Sequence, residues 1–272
     1  MTVKVLYILG LGHSGTTLLT RVLGAHSRIV ATGGSWNVPR FLAGRRDCAC
    51  GATAPGDCPF WSRVEAVLGE RGLSLAELDL EKPHGRLDPE STRIYFEAVA
   101  EAAGAEAIVD TTRRPSHLRA LARVPGLELY PVHIFKNPRR QIASAKRKGG
   151  WWLPTLWNYG MRGRRVRGLQ RQWPNLVHVP YESFCRDPRG QLERMLAPAG
   201  LEVEDRQIES WGEQPIHILG GNRQRTNTSS EIRLDESWKE RLTPFERNLV
   251  RVWGDGTWRR NLAASGESVE SQ

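Results

Sequence analysis

The segment Gly10-Leu11-Gly12-His13-Ser14-Gly15-Thr16-Thr17 has the makings of an anion cradle. Glycines let successive backbone N–H groups close on a phosphate, and hydroxyls at 14, 16 and 17 add further donors. The string nearly fits G-x-x-x-x-G-K-[ST], but Thr16 stands where that pattern has its lysine. Losing the contact to the β- and γ-phosphates weakens a nucleotide kinase or ATPase reading. The same glycines satisfy G-x-G-x-x-G, a weak signal alone. A second polar set is Lys136-Asn137-Pro138-Arg139-Arg140 with Ser144 two helical turns on, a cation and a hydroxyl that can flank one phosphate. A third, Asp110-Thr111-Thr112-Arg113, places a carboxylate near a cation. Asp110 can serve as a general base or cap the following turn.

These residues need elements to position them. Val3 to Leu9 is an almost unbroken apolar run, the pattern of a strand buried on both faces of a parallel sheet. Past the glycines, apolar residues at 18, 19, 22 and 23 form a helical stripe. Further strands are predicted at Ala107–Asp110, Leu129–Phe135 and Leu176–Val179. Helices are predicted from Pro89 to Ala103, Ser116 to Arg123, Pro138 to Ser144, Pro188 to Leu196 and Thr243 to Asn261. Strands alternating with helices predict an α/β fold: a mostly parallel sheet flanked by helices, with ligands at the carboxyl ends of its strands. No repeat or linker interrupts the chain. One domain is expected over residues 1–262, followed by a small, polar and disordered C-terminal tail, 263–272.

Composition narrows the partners. The 272 residues carry 39 Lys and Arg against 30 Asp and Glu, a net charge of +9 that attracts polyanions: nucleic acid, polysaccharide, a membrane surface or a phosphate-rich nucleotide. With 39% hydrophobic and 25% charged residues, wholesale disorder, collagen and coiled coil are excluded. No apolar run approaches the roughly 20 residues that span a bilayer. The start of the chain does not read as a signal peptide, so a cytoplasmic address is expected. Ten tryptophans outnumber six phenylalanines and five tyrosines. Cys48, Cys50 and Cys58 cluster in CACGATAPGDCPFW, with Cys185 far away. Four cysteines are too few for a disulfide scaffold of this size. A zinc knuckle wants a fourth ligand at short spacing; none is visible, and His26 and His84 are distant. The loop therefore reads as turn-rich, reduced or disulfide-pinned, with metal binding as the alternative.

Five motifs in order carry a family resemblance. Ser14-Gly15-Thr16-Thr17-Leu18-Leu19 after a buried strand resembles the 5′-phosphosulfate loop of sulfotransferases that use 3′-phosphoadenosine 5′-phosphosulfate. Asp110-Thr111-Thr112-Arg113-Arg114-Pro115 looks like that family's Asp-Ser-Ser-Lys strand end. Lys136-Asn137-Pro138-Arg139-Arg140 with Ser144 is similar to its 3′-phosphate motif. Val179-Pro180-Tyr181-Glu182-Ser183-Phe184 with Asp187-Pro188 resembles its Tyr-Glu-Asp-Leu…Asp-Pro segment. Gly220-Gly221-Asn222-Arg223-Gln224-Arg225 resembles its late glycine-basic loop.

The resemblance implies a P-loop-like three-layer fold and sulfuryl transfer to a hydroxyl or amine of a small-molecule or carbohydrate acceptor, leaving adenosine 3′,5′-bisphosphate. It implies no metal, nucleic acid or membrane segment. Gly12, His13, Ser14, Gly15, Thr16 and Thr17 would take the 5′ end of the nucleotide. Lys136, Ser144, Asn222, Arg223 and Arg225 would surround the 3′-phosphate, and Tyr181 would contact adenine. Lys136 replaces the usual arginine and gives up its bidentate fork. His13 replaces the usual Lys or Arg at the leaving oxygen, with Arg113 available to share the cationic load. Many relatives carry a glutamate base on the second strand, where Ala31-Thr32-Gly33-Gly34-Ser35-Trp36-Asn37 has no carboxylate, so Asp110, His13 and more distant acidic residues are the candidates, Asp110 foremost. For the acceptor, Gly149-Gly150 is read as a hinge, Trp36, Trp151, Trp152 and Trp157 as an apolar floor, and Arg164, Arg167 and Arg171 as one basic face. The alternatives are a kinase-like phosphotransferase and a basic nucleic-acid-binding module. Against the latter, the charge is scattered rather than gathered on a recognition motif.

Overall fold

The computed structural model describes residues 2–80, 87–147, 149, 151–221 and 223–268, and the side chains of all these except Arg167, Arg223 and Gln224. Its five strands are β1 (Val3–Leu9), β2 (Ile29–Gly33), β3 (Ala107–Arg113), β4 (Leu127–Phe135) and β5 (Val177–Pro180). They form one parallel sheet in the order β2-β3-β1-β4-β5. Helices occupy the connections: α1 (Thr16–Gly24), α2 (Val38–Leu42), α3 (Trp61–Gly69), α4 (Pro89–Ala103), α5 (Pro115–Leu121) and α6 (Pro138–Arg147). They continue with α7 (Trp152–Arg167), α8 (Tyr181–Arg186), α9 (Pro188–Leu196), α10 (Arg206–Glu209), α11 (Trp238–Arg241) and α12 (Pro244–Ser265). This is the parallel α/β architecture that the strand–helix alternation predicted.

Local chemistry accounts for the element ends. Asp88 accepts from Ser91 N ahead of Pro89, and Gly104 closes α4 with φ 60°. Thr243 and Glu246 form a reciprocal capping box at α12. Two details depart from the sequence pattern. β2 gave no strand pattern of its own, because its five residues are few and close on Gly33 with Gly34 next, and only the family resemblance placed a strand there; pairing with β3 in register Ile29↔Ala107 defines it. α12 runs to Ser265, past the expected tail boundary. Gly266 takes the left-handed cap there, and Glu267 bonds Ser183 and Gln191.

By internal contacts the described residues group into two compact units, each assembled from three stretches of chain. The first holds the chain through Ile8, Thr17–Tyr130 and Glu202–Glu231; the second holds Leu9–Thr16, Pro131–Leu201 and the chain from Ile232. In the first, Leu6, Tyr7, Ile8, Val109, Phe96 and Trp61 are buried; in the second, Ile134, Ile142, Val179, Phe184 and Leu192 are. No helix among the described residues is long and apolar enough to cross a membrane.

Candidate active site

In the second unit, β1 ends at Leu9 and the glycine turn follows. Ser14 N and Ser14 Oγ both donate to Leu11 O, at 3.3 and 2.8 Å, folding the turn onto itself. His13 adopts φ 70° and Gly15 φ 101°. A left-handed histidine is costly and persists only where its surroundings enforce it. Gly15 is required: a Cβ there would stand 2.4 Å from Tyr181 Cδ2. Gly12 has no neighbour within 4 Å of such an atom, so the loop's outer side is open for a ligand. Gln141 on α6 donates to Gly12 O and fixes the direction of that carbonyl. Gln141 was missed by sequence reasoning. Its place three residues before Ser144, on the same helical face, was the available signal.

β4 delivers Lys136, only 6% exposed. Its ammonium lies 3.6 Å from the centroid of the Tyr181 ring, and no ion pair to it is present among the described residues. Burial lowers its pKa from 10.5 to about 8, against the upward pull of Glu182, Cys185 and Asp235; Arg140 adds to the depression. The Lys136 carbonyl accepts from Tyr159 Oη at 2.8 Å. Glu182 is buried too: it accepts from Asn137 N at 3.0 Å and lies 3.6 Å from Arg140 Nε, and burial raises its pKa. Tyr181 itself is buried and donates to Arg233 O at 3.3 Å, so its ring supports the loop and faces the lysine. Ser144 sits half-buried on α6. The structure thus gathers the glycine turn, Lys136 and Tyr181.

In the first unit, Asp110 is 1% exposed, and both its oxygens are engaged by backbone amides: Thr112 N at 2.7 Å and Ser35 N at 3.1 Å. A hydrogen-bond chain continues from Ser35 Oγ to His117 Nε2 at 3.5 Å and from His117 Nδ1 to Tyr7 Oη at 3.2 Å. His117 and Tyr7 were not singled out from sequence, since lone polar residues in apolar segments carry no signal. Burial lowers the His117 pKa and raises that of Tyr7. Arg113 ends β3 with φ 64°; it and His13 are the only non-glycine residues with positive φ among those described. The Trp36 ring carries two guanidinium groups, Arg40 at 3.9 Å and Arg114 at 5.3 Å. Thr17 belongs to this unit, where Gly221 approaches it: a Cβ on that glycine would stand 3.8 Å from Thr17 Oγ1. Arg225 donates to Gly220 O at 3.1 Å and Asp47 O at 3.3 Å, so its guanidinium braces its own loop. Asn222 and the Arg223 side chain lie outside what is described.

The tryptophan-rich segment forms α7. It does not present its tryptophans as one floor. Trp152 packs on Ile142, Ala143, Leu156, Leu242 and Val250, whereas Trp151 is 84% exposed and Trp157 61%. Trp157, Met161 and Arg164 line a groove of about 340 Å³ with Trp253 and Arg260 of α12. Gly150, half of the expected hinge, lies outside the described residues.

A glycine turn after β1 and a buried lysine after β4, both at the carboxyl ends of strands in a parallel sheet, define the class of doubly wound α/β proteins. A profile of the sulfotransferase family matches residues 6–205, and the chain belongs to that family. No curated protein matches it in sequence. Among solved structures, the sulfotransferase domain from the curacin biosynthetic pathway aligns at 13% identity, covering 98% of this chain and 99% of that one, with a TM-score of 0.57. The sulfotransferase domain from the Synechococcus PCC 7002 olefin synthase aligns at 15% identity over 92% and 86%, with a TM-score of 0.52. Mouse sulfotransferase SULT7A1 complexed with PAP aligns at 11% over 96% and 85%, with a TM-score of 0.50. At these identities the likeness is one of fold.

Proposed function

We propose that this sulfotransferase takes its sulfuryl group from 3′-phosphoadenosine 5′-phosphosulfate and passes it to a hydroxyl or amine of a small-molecule or carbohydrate acceptor. The observation that carries this reading is Lys136, a cation kept in a buried site without an ion pair among the described residues, beside a glycine turn open to an anion. A buried charge of this kind is costly until a counter-charge arrives. Bound, the nucleotide supplies an activated sulfuryl group. The turn from Gly12 to Thr16 suits its 5′ phosphosulfate, with Ser14 spending its amide and hydroxyl on Leu11 O to shape that turn, and Lys136 with Ser144 suits the 3′-phosphate. His13, held at positive φ, donates a proton or hydrogen bond toward the departing oxygen. Arg113 is assigned the same class of role on its charge and strained backbone. Asp110 spends both oxygens on amides, so we assign it to holding Ser35 and Thr112 in place rather than to collecting the acceptor's proton. Tyr181 is assigned to cradling Lys136 rather than stacking on adenine, and Arg225 would have to release two carbonyls to reach a phosphate.

Thermal melting with competing nucleotides tests the reading. Adenosine 3′,5′-bisphosphate at a hundredfold excess over its dissociation constant should raise Tm by about 5 °C, from roughly 2.7 kcal/mol of linkage, while ATP with Mg²⁺ leaves it unchanged. Stabilisation by ATP with Mg²⁺ alone would overturn the assignment.

A further inference from the structure

Cys48, Cys50, Cys58 and His217 meet within the first unit, and nothing in the sulfuryl-transfer reading uses them. The Cys58 sulfur lies 3.6 Å from Cys50 Sγ, 3.8 Å from Cys48 Sγ and 3.2 Å from His217 Nδ1. All four ligand atoms fall within 4.8 Å of one another. The cysteines are free thiols, and these separations far exceed the roughly 2.05 Å of a disulfide. They instead suit a tetrahedral centre: with Zn–S near 2.3 Å and Zn–N near 2.0 Å, neighbouring ligand atoms stand about 3.5–3.8 Å apart.

The surrounding backbone prepares this meeting. Gly51 at φ 96° turns the chain so that Gly51 N donates to Cys48 O at 3.0 Å and Cys48 N to Ala52 O at 2.8 Å. Cys48 then pairs antiparallel with Leu219, and Ala49 N donates to Ile218 O at 3.0 Å, which brings His217 alongside. The His217 ring stacks on Phe60 at 5.6 Å and 21°, and its carbonyl accepts from Trp61 Nε1 at 3.1 Å. Three sulfurs and one imidazole nitrogen are soft and borderline donors, suited to zinc and poorly suited to magnesium or calcium.

We propose that Cys48, Cys50, Cys58 and His217 bind one structural zinc ion. Binding converts three thiols to thiolates, their three protons passing to solvent, and leaves His217 neutral with Nδ1 as ligand. Four protein ligands fill the tetrahedron and leave no open position for a reacting water. The ion fastens the loop from Cys48 to Cys58 onto the strand-like segment around Leu219. Leu219 N in turn donates to Thr32 O at 2.9 Å, and Asn37 Nδ2 donates to Leu219 O at 3.1 Å. The arm that ends in Gly220-Gly221 is thereby tied to the end of β2.

The test uses the full chain, expressed with zinc and purified without chelator under argon. Elemental analysis should return about one zinc per chain, and Cys58→Ser and His217→Ala should each lower that at least about tenfold, while Cys185→Ser leaves it intact. Because either variant can fail to fold, the wild type is also exchanged with Co²⁺, which should give the intense visible absorption of a tetrahedral site with sulfur-to-cobalt charge transfer. A wild-type protein without zinc, a weak octahedral cobalt spectrum, or a disulfide among Cys48, Cys50 and Cys58 in the argon-purified chain would each overturn the proposal.

Discussion

The glycine turn with Lys136 and the cluster of Cys48, Cys50, Cys58 and His217 solve opposite problems. One keeps a cation buried and waits for an anion; the other gathers electron-rich donors that suit a cation. The turn also carries backbone cost in His13 at φ 70°, and the lysine adds desolvation cost. The cysteine cluster sits among backbone pairings and stacked rings that reinforce it. A site that must bind a ligand reversibly is strained in its absence, whereas a clamp is placed where it adds stability.

The largest expected effect separates these roles. Lys136→Met should weaken binding of adenosine 3′,5′-bisphosphate by about 100-fold, the equivalent of roughly 2.7 kcal/mol of lost charge-assisted hydrogen bonding. The same change should leave Tm level or raise it, since a buried charge without an ion pair is replaced by an apolar chain. Calorimetric titration and melting of the one variant check both halves. A lowered Tm with affinity intact would move Lys136 from the ligand site into the framework.

The contrast also explains what could be read from sequence. The glycine turn is contiguous and shows in its spacing, and Lys136 to Ser144, on one strand end and one helix, is contiguous enough for the family resemblance to expose it. The apolar run of β1 and the Pro-led starts of α4, α6 and α9 were legible for the same reason. Cys58 and His217 are 159 positions apart and meet through the bridge between Cys48 and Leu219, a pairing without local signature. The two nearest histidines in sequence gave no guidance: His26 bonds Glu202 O instead, and His84 lies outside the described residues. Tyr181 was legible as a position but not as a posture. That its ring lies beneath Gly15 and against Lys136 depends on β5 running beside β4 in the register Phe135↔Pro180.

A smaller, graded effect concerns pH. With its pKa lowered to about 8 by burial, Lys136 loses its charge across the mildly alkaline range. Bisphosphate affinity should therefore fall as pH rises above about 8, by up to about tenfold per unit, while the phosphates stay fully ionised. Stability of the free protein should move the other way. Between about 8 and 10.5 the unfolded chain binds more protons at this lysine than the folded chain does, so this contribution to stability rises with pH. Cys185 nearby is pushed up to about 11 and stays neutral over most of that window. Titrations at stepped pH should show the decline in the wild type and a flat profile for Lys136→Arg, whose guanidinium keeps its charge. A wild-type profile as flat as that of the arginine variant would remove Lys136 from the phosphate contact.

The smallest expected effect lies at α7 and its N-cap, where three tryptophans are separated by burial. Trp152 packs on Ile142 and Val250 and belongs to the framework, so its truncation costs stability before anything else. Trp151 and Trp157 stand 84% and 61% exposed, and surface truncations of this kind change stability by within about 0.5 kcal/mol. If these two indoles still meet the acceptor, replacing both with alanine should raise the acceptor KM a few-fold, leaving Tm and bisphosphate affinity unchanged. The three readouts together distinguish a contact from a fold defect, because loss of packing would move Tm first. Unaltered acceptor kinetics in that double variant would leave Trp36, with its two guanidinium neighbours, as the remaining aromatic candidate for the acceptor side.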